Sequence, residues 1–139
     1  MLSPQYFEGS VEIGAPATLA YALWSDCENF PNFMRGVVAV RRVDERHLHW
    51  RAEMWGESLE WDAEIVEDIP DTRISWRTIS GAAASGTVRF EVLDADRVRV
   101  VHELRLPAEN ADSDSAEIGA RITEDLERFK AFVESRRAS

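Results

Sequence analysis

Trp24-Ser25-Asp26-Cys27-Glu28-Asn29-Phe30-Pro31-Asn32-Phe33 lies between a short helical pattern and a long series of strand patterns. Pro31 disfavours the α conformation at Phe30, so a helix ends or turns there. Phe30 and Phe33 flank the proline as large apolar groups. The stretch therefore reads as a helix–turn–helix corner rich in aromatics. Such a corner can plug the open end of a curved sheet, and a plugged curved sheet encloses a cavity.

Upstream, Tyr6 to Ile13 alternates as a first strand, with Phe7, Val11 and Ile13 sharing a face. Pro16 suits the first position of a helix. Leu19, Leu23 and Cys27 then fall on one helical face, and a second short helix is predicted over Glu28 to Met34. Downstream, Val37 to Val43 and His47 to Met54 read as strands. Leu59, Trp61, Ala63 and Ile65 alternate with Glu60, Asp62 and Glu64, the clearest half-buried strand in the chain. Ile74, Trp76 and Thr78 share the face of a fifth strand. Gly81 to Gly86 reads as a small, polar, flexible connection. Val88, Phe90 and Val92 mark a sixth strand, and Val98, Val100, His102, Leu104 and Leu106 a seventh. Ala108 to Ser113 reads as a loop. Asp114 with Glu117 fits a capping box, and Ile118, Ile122, Leu126, Phe129 and Val133 follow at helical spacing over about 20 residues.

The order is one strand, two short helices, six strands and one long helix. Short turns between the later strands make the sheet antiparallel. Only the last helix is long and apolar enough to cover one sheet face. The expectation is an α+β fold: a seven-stranded antiparallel sheet curled around a long C-terminal helix, with strand one beside strand seven and two short helices between strands one and two. A chain of 139 residues with 45% hydrophobic content favours one domain over residues 1–139.

The net charge of −10 repels nucleic-acid phosphate and anionic membranes. No apolar run approaches the roughly 20 residues that span a bilayer. No basic segment followed by an apolar stretch opens the chain, so no signal peptide is expected. Cys27 is the only cysteine, which excludes an internal disulfide and fits a reducing, cytoplasmic setting. No base is patterned with it, and it reads as a packed thiol.

The chain resembles the START-like (SRPBCC) helix-grip superfamily, in particular its polyketide cyclase/dehydrase branch. The resemblance covers nearly the whole chain. It rests on the element order, on Ala15-Pro16 opening the first helix, and on Asp26 to Phe33 as an Asp-x-x-x-aromatic-Pro-x-aromatic corner. Glu60-Trp61 followed by Asp68-Ile69-Pro70, Ile74-Ser75-Trp76, and Gly86-Thr87-Val88-Arg89-Phe90 add to it. The resemblance implies an apolar molecule held between sheet and long helix. It implies either cyclisation or dehydration of polyketides, or carriage or sensing of lipids, quinones and similar ligands. Aromatising cyclases of this kind resemble one another in an arginine that points inward from a central strand. The corresponding strand here, Leu59 to Glu67, contains no arginine. Arg51, Arg77 and Arg89 fall in outward phases, so only a bulge could turn one inward.

His102 is the candidate catalytic residue. It sits in the apolar phase between Val100 and Leu104, where an imidazole could act as general acid or base. The same position suits a core histidine with a partner. Trp24, Phe30, Phe33, Met34, Trp50, Trp61, Trp76, Phe90 and Phe129 are the candidate ligand-binding residues, because aromatics offer broad flat contacts to a ring-bearing ligand. Core packing uses the same residues. Phe33 and Met34 could meet the last helix at a cavity mouth that gates entry. His47 and His49 share a strand face, but that face is polar and lacks a third ligand, so no metal site is expected. Glu60, Asp62 and Glu64 read as a solvated face. No cofactor motif is present. The expected partner is a small apolar or aromatic molecule. An acidic outer sheet could instead serve protein interaction, and an edge strand could pair with a second copy as a homodimer.

Overall fold

Branched and aromatic residues alternating with charged ones favour strands through most of this chain. A computed structural model of the protein describes residues 5–54, 56–80, 84–106 and 115–138. The elements are β1 (Gln5–Ile13), α1 (Ala17–Ser25), a 3₁₀ turn (Cys27–Asn32), β2 (Val37–Arg42), β3 (His47–Met54), β4 (Glu57–Ile69), β5 (Arg73–Thr78), β6 (Ser85–Asp94), β7 (Arg97–Leu106) and α2 (Ser115–Ala138). The strands form one antiparallel sheet in the order β1-β7-β6-β5-β4-β3-β2. β1 lies beside β7, with Gln5 opposite Leu106 and Ile13 opposite Val98. This is the helix-grip arrangement that the order of elements predicts.

α2 buries Ile122, Leu126, Phe129 and Val133, one apolar stripe at i+4, i+7 and i+11. It packs chiefly on β1. Gly9 permits the approach: a Cβ there would lie 2.8 Å from Ile122 Cγ2. At the far end, Glu134 accepts the N–H of Gly14 at 2.8 Å. Arg137 donates to the carbonyl of Gly14 at 2.9 Å and to Asp96 at 2.6 Å.

The corner differs in detail from a pair of α-helices. Pro16 caps α1 from outside, and its carbonyl accepts from Leu19 and Ala20. The second short helix is a 3₁₀ turn over Cys27–Asn32 with Pro31 inside it. Proline has no N–H to give, and the tighter turn ends with Phe33 and Met34 both donating to the Phe30 carbonyl. Ser85 and Gly86 also depart from the expected flexible connection, because they begin β6. Gly86 is there for space: a Cβ would lie 2.7 Å from the Trp76 ring and 2.7 Å from the Glu103 carbonyl. The expected loop over Ala108 to Ser113, the capping box at Asp114, and the Ile118 side chain lie outside the described residues.

Three strands are bulged, near Val38 in β2, near Val66 in β4 and near Leu93 in β6. A bulge inserts one residue and reverses the in–out phase beyond it. Among the described residues, no helix is long and apolar enough to cross a membrane.

Candidate functional site

The inward phases of β3, β4, β5 and β7 converge with the corner and with α2 around a cavity of about 190 Å³. Trp24, Phe30, Met34, Trp50, Trp61, Trp76 and His102 border it. Phe33, Phe90 and Phe129 do not. They are buried in the core behind the wall, with 1%, 4% and 0% of their surface exposed. Phe33 and Phe129 pack on each other at 4.8 Å between centroids, and Phe90 meets Tyr21 of α1 edge-on.

The wall is a continuous aromatic relay. Trp61 stacks on Trp50 at 5.5 Å and 14°. Trp50 meets Phe30 at 5.1 Å, Phe30 meets Trp24 at 5.6 Å, and Trp24 meets His102 at 5.5 Å. Such offset and edge contacts fix ring orientations, each worth about 0.5–1.5 kcal/mol beyond area burial. The rings thus hold the cavity open as a shaped space.

Two nitrogens in this wall are unpaired. Trp50 Nε1 and His102 Nε2 are shielded from solvent and have no hydrogen-bond partner among the described residues. An unsatisfied buried polar group costs about 1–3 kcal/mol. For His102 the absence of any stabilising partner has a further effect: burial pushes its pKa down to about 4. The imidazole is therefore neutral at pH 7. A neutral ring can accept a proton or share a hydrogen bond, and it gives up a proton at Nε2 only after first taking one there. Cys27 is a packed thiol, buried and with its pKa raised chiefly by that burial.

Sequence reasoning missed the polar rim. Asp68, Arg42 and Ser25 border one part of the cavity, and Arg35, Arg121 and Asp125 another. The bulge near Val66 explains Asp68. Ile65 lies opposite Trp76 and Asp68 opposite Ile74, so the extra residue turns an aspartate inward. Asp68 accepts a 2.5 Å hydrogen bond from the Tyr21 hydroxyl. Burial, then this bond, raises the Tyr21 pKa. The bulge turns no arginine inward. Arg77 pairs with Glu64 and Arg89 with Glu103, outside the cavity.

Arg35 is held against α2 through both sides of its peptide. Its N–H donates to Asp125 at 3.2 Å, and its carbonyl accepts from Arg121 at 3.4 Å. Burial raises the Asp125 pKa, opposed by the Arg35 N–H bond. Gly36 follows with φ of 89°, a conformation glycine adopts without strain.

On the outer face, the carboxylates are not merely solvated. His49 bonds Asp62 at 2.8 Å and Glu60 at 2.9 Å. The Asp62 bond, then that of Glu60, raises the His49 pKa. His47 contacts Asp44 and Glu64. Among the described residues, no group of three or more His, Cys, Asp or Glu is placed to hold a metal ion.

The family described as "Polyketide cyclase / dehydrase and lipid transport" matches residues 13–134. An uncharacterized 17.2 kDa Streptomyces lincolnensis protein, encoded between melC2 and rnhH, is 37% identical over 137 residues, 93% of this chain and 89% of that one. The crystal structure of the Zhui aromatase/cyclase from Streptomyces sp. R1128 is similar with a TM-score of 0.83 at 19% identity, over 96% of each chain. A Deinococcus radiodurans protein solved by a structural genomics consortium is 29% identical, with a TM-score of 0.74 over 91% of this chain and 95% of that one.

Proposed function

The chain belongs to the polyketide cyclase/dehydrase and lipid-transport family, and from that membership we propose that its cavity holds a small hydrophobic or aromatic molecule and that His102 exchanges a proton with it. The observation that carries this reading is the aromatic-walled space of about 190 Å³ with His102 at its border. The interior gives a flexible substrate little choice of conformer, and orientation of that kind lowers a barrier by several kcal/mol.

In the tautomer with its proton on Nδ1, neutral His102 can take a proton at Nε2 from a C–H next to a carbonyl. Returned to a β-hydroxyl, that proton leaves with the hydroxyl as water, and the electrons of the broken C–H bond form the new double bond. Among the described residues, no arginine of the central strands β4 to β6 faces the cavity to support a developing enolate, unlike the aromatising cyclases the chain resembles. That difference favours a second reading, a carrier or sensor with the same cavity and no turnover.

Mass spectrometry of the purified protein, native against solvent-extracted, tests the cavity. A retained apolar molecule is expected. A protein that retains nothing and binds no aromatic probe sinks the reading. His102→Gln separates the two uses: lost turnover with retained binding supports proton transfer, and unchanged turnover excludes it.

A further inference from the structure

Two opposite charges stand at one end of the cavity without meeting. Arg42 and Asp68 both border it, beside Ser25. Arg42 reaches it from the last position of β2, and the β4 bulge turns Asp68 toward it. Both residues are exposed, so this end opens to solvent.

Neither charge is neutralised by the protein. Arg42 donates to the carbonyls of Glu45 and Ser25 at 3.0 and 3.1 Å. The rest of its five N–H donors have no partner among the described residues. Asp68 accepts only the Tyr21 hydroxyl, at 2.5 Å. The chain carries 26 acidic residues against 16 basic ones, so an arginine that meets no carboxylate runs against its composition. The other rim behaves differently. There Arg35 pairs with Glu124 at 3.5 Å and Arg128 with Asp125 at 3.4 Å.

Helix α1 sets the spacing of the two free charges. Tyr21, which holds Asp68, and Ser25, whose carbonyl holds Arg42, are four residues apart on α1. That is about 6 Å along the axis. The Ser25 side chain also acts on the Tyr21 hydroxyl, so Ser25 lies between the two charges. A single small group spans them if it presents an anion to Arg42 and a cation to Asp68. The carboxylate and ammonium of an amino acid, joined through one carbon, do this. Behind them Trp50, Trp61 and Trp76 border a space of about 190 Å³. An apolar protein cavity of about 150 Å³ admits benzene, so this one takes a side-chain ring. An uncharged molecule leaves both rim charges unused, and a simple anion leaves Asp68 unused.

Resting on the cavity reading above and not on its proton transfer, we propose that the ligand is an aromatic amino acid. Its ring lies among the tryptophans, its carboxylate on Arg42 and its ammonium on Asp68.

Titration calorimetry with L-phenylalanine and four truncations of it tests this. Phenethylamine lacks the carboxylate, 3-phenylpropanoate the ammonium, ethylbenzene both, and L-alanine the ring. L-Phenylalanine is expected to bind about tenfold more tightly than phenethylamine or 3-phenylpropanoate, the effect of one hydrogen-bonded charge. L-Alanine is expected not to bind. Arg42→Gln should bring L-phenylalanine down to the affinity of phenethylamine and leave phenethylamine within a factor of about three. Asp68→Asn should bring it down to that of 3-phenylpropanoate and leave 3-phenylpropanoate equally unchanged. The unchanged compound shows in each case that the cavity of the variant is intact. The inference is overturned, with the cavity reading left standing, if phenethylamine, 3-phenylpropanoate or ethylbenzene matches L-phenylalanine, or if either substitution has no effect on it. L-Alanine binding as tightly as L-phenylalanine overturns it too. If no ring-bearing compound binds, the cavity reading itself fails and takes this inference with it.

Discussion

His102 gives up solvent at Nε2 without gaining a hydrogen bond there, and its pKa falls to about 4 as a result. Its ordinary value is 6.5. Between those values the unfolded chain binds a proton that the folded protein refuses. Stability therefore rises with pH through this window, is complete above about pH 6.5, and is lost as pH falls toward 4. The expected loss between pH 7 and pH 5 is about 2 kcal/mol. Urea unfolding at the two pH values measures it, and His102→Leu should remove that part of the slope. His49 acts in the opposite sense, because its carboxylate partners raise its pKa and its contribution fades as pH rises through the folded value. It is present in both proteins, so the difference between their slopes isolates His102. An identical slope in the variant would mean that His102 finds a partner or water in solution. The strand phase of His102 was legible because Val100 and Leu104 alternate with it. Its missing partner was not, because that depends on what the corner and α1 bring opposite.

The elements show where alternation succeeds as a guide and where it stops. Period-two patterning placed Trp50, Trp61 and Trp76 on one face, and all three border the cavity. It could not place Asp68, because the bulge near Val66 resets the phase and a bulge leaves no residue signature here. Nor could it pair Arg35 with Asp125 or Arg121, which lie far along the chain and meet only through packing. The small residues before Val88 misled for another reason. Glycine serves turns and close approaches alike, and at Gly86 the approach of Trp76 and of the β7 backbone explains it. Gly86→Ala should cost about 1–3 kcal/mol, as overpacking does, because the Glu103 carbonyl cannot move aside as a flexible side chain would. Gly119→Ala is the contrast. Nothing lies within 4 Å of a Cβ there, and α2 should gain up to about 1 kcal/mol from the better helix former. Denaturant midpoints compare the two, and a Gly86→Ala protein as stable as the parent would refute the close-approach argument.

At the scale of the whole molecule, core and cavity are made of the same residue types, and only position separates them. Phe33 and Phe129 are packed to 1% and 0% exposure, whereas Trp50 and Trp61 face open space one layer away. Hydrophobic patterning identifies the layer but not the gap, because a gap is what remains after every side chain has found its rotamer. A pair of alanines probes that gap. Ala63 is 2% exposed and borders the cavity. Ala52 is 0% exposed on neighbouring β3 and does not. Ala52→Phe forces a ring into packed space and should cost about 1–3 kcal/mol or more. Ala63→Phe has room to turn its ring inward and should keep the thermal midpoint near that of the parent. It should also exclude aromatic probes and any molecule retained through purification, since the ring occupies the ligand's space. Stability retained with binding lost is the signature of a cavity built to be filled from outside. If Ala63→Phe destabilises as much as Ala52→Phe, the space is closed in solution, and the protein works through its surface.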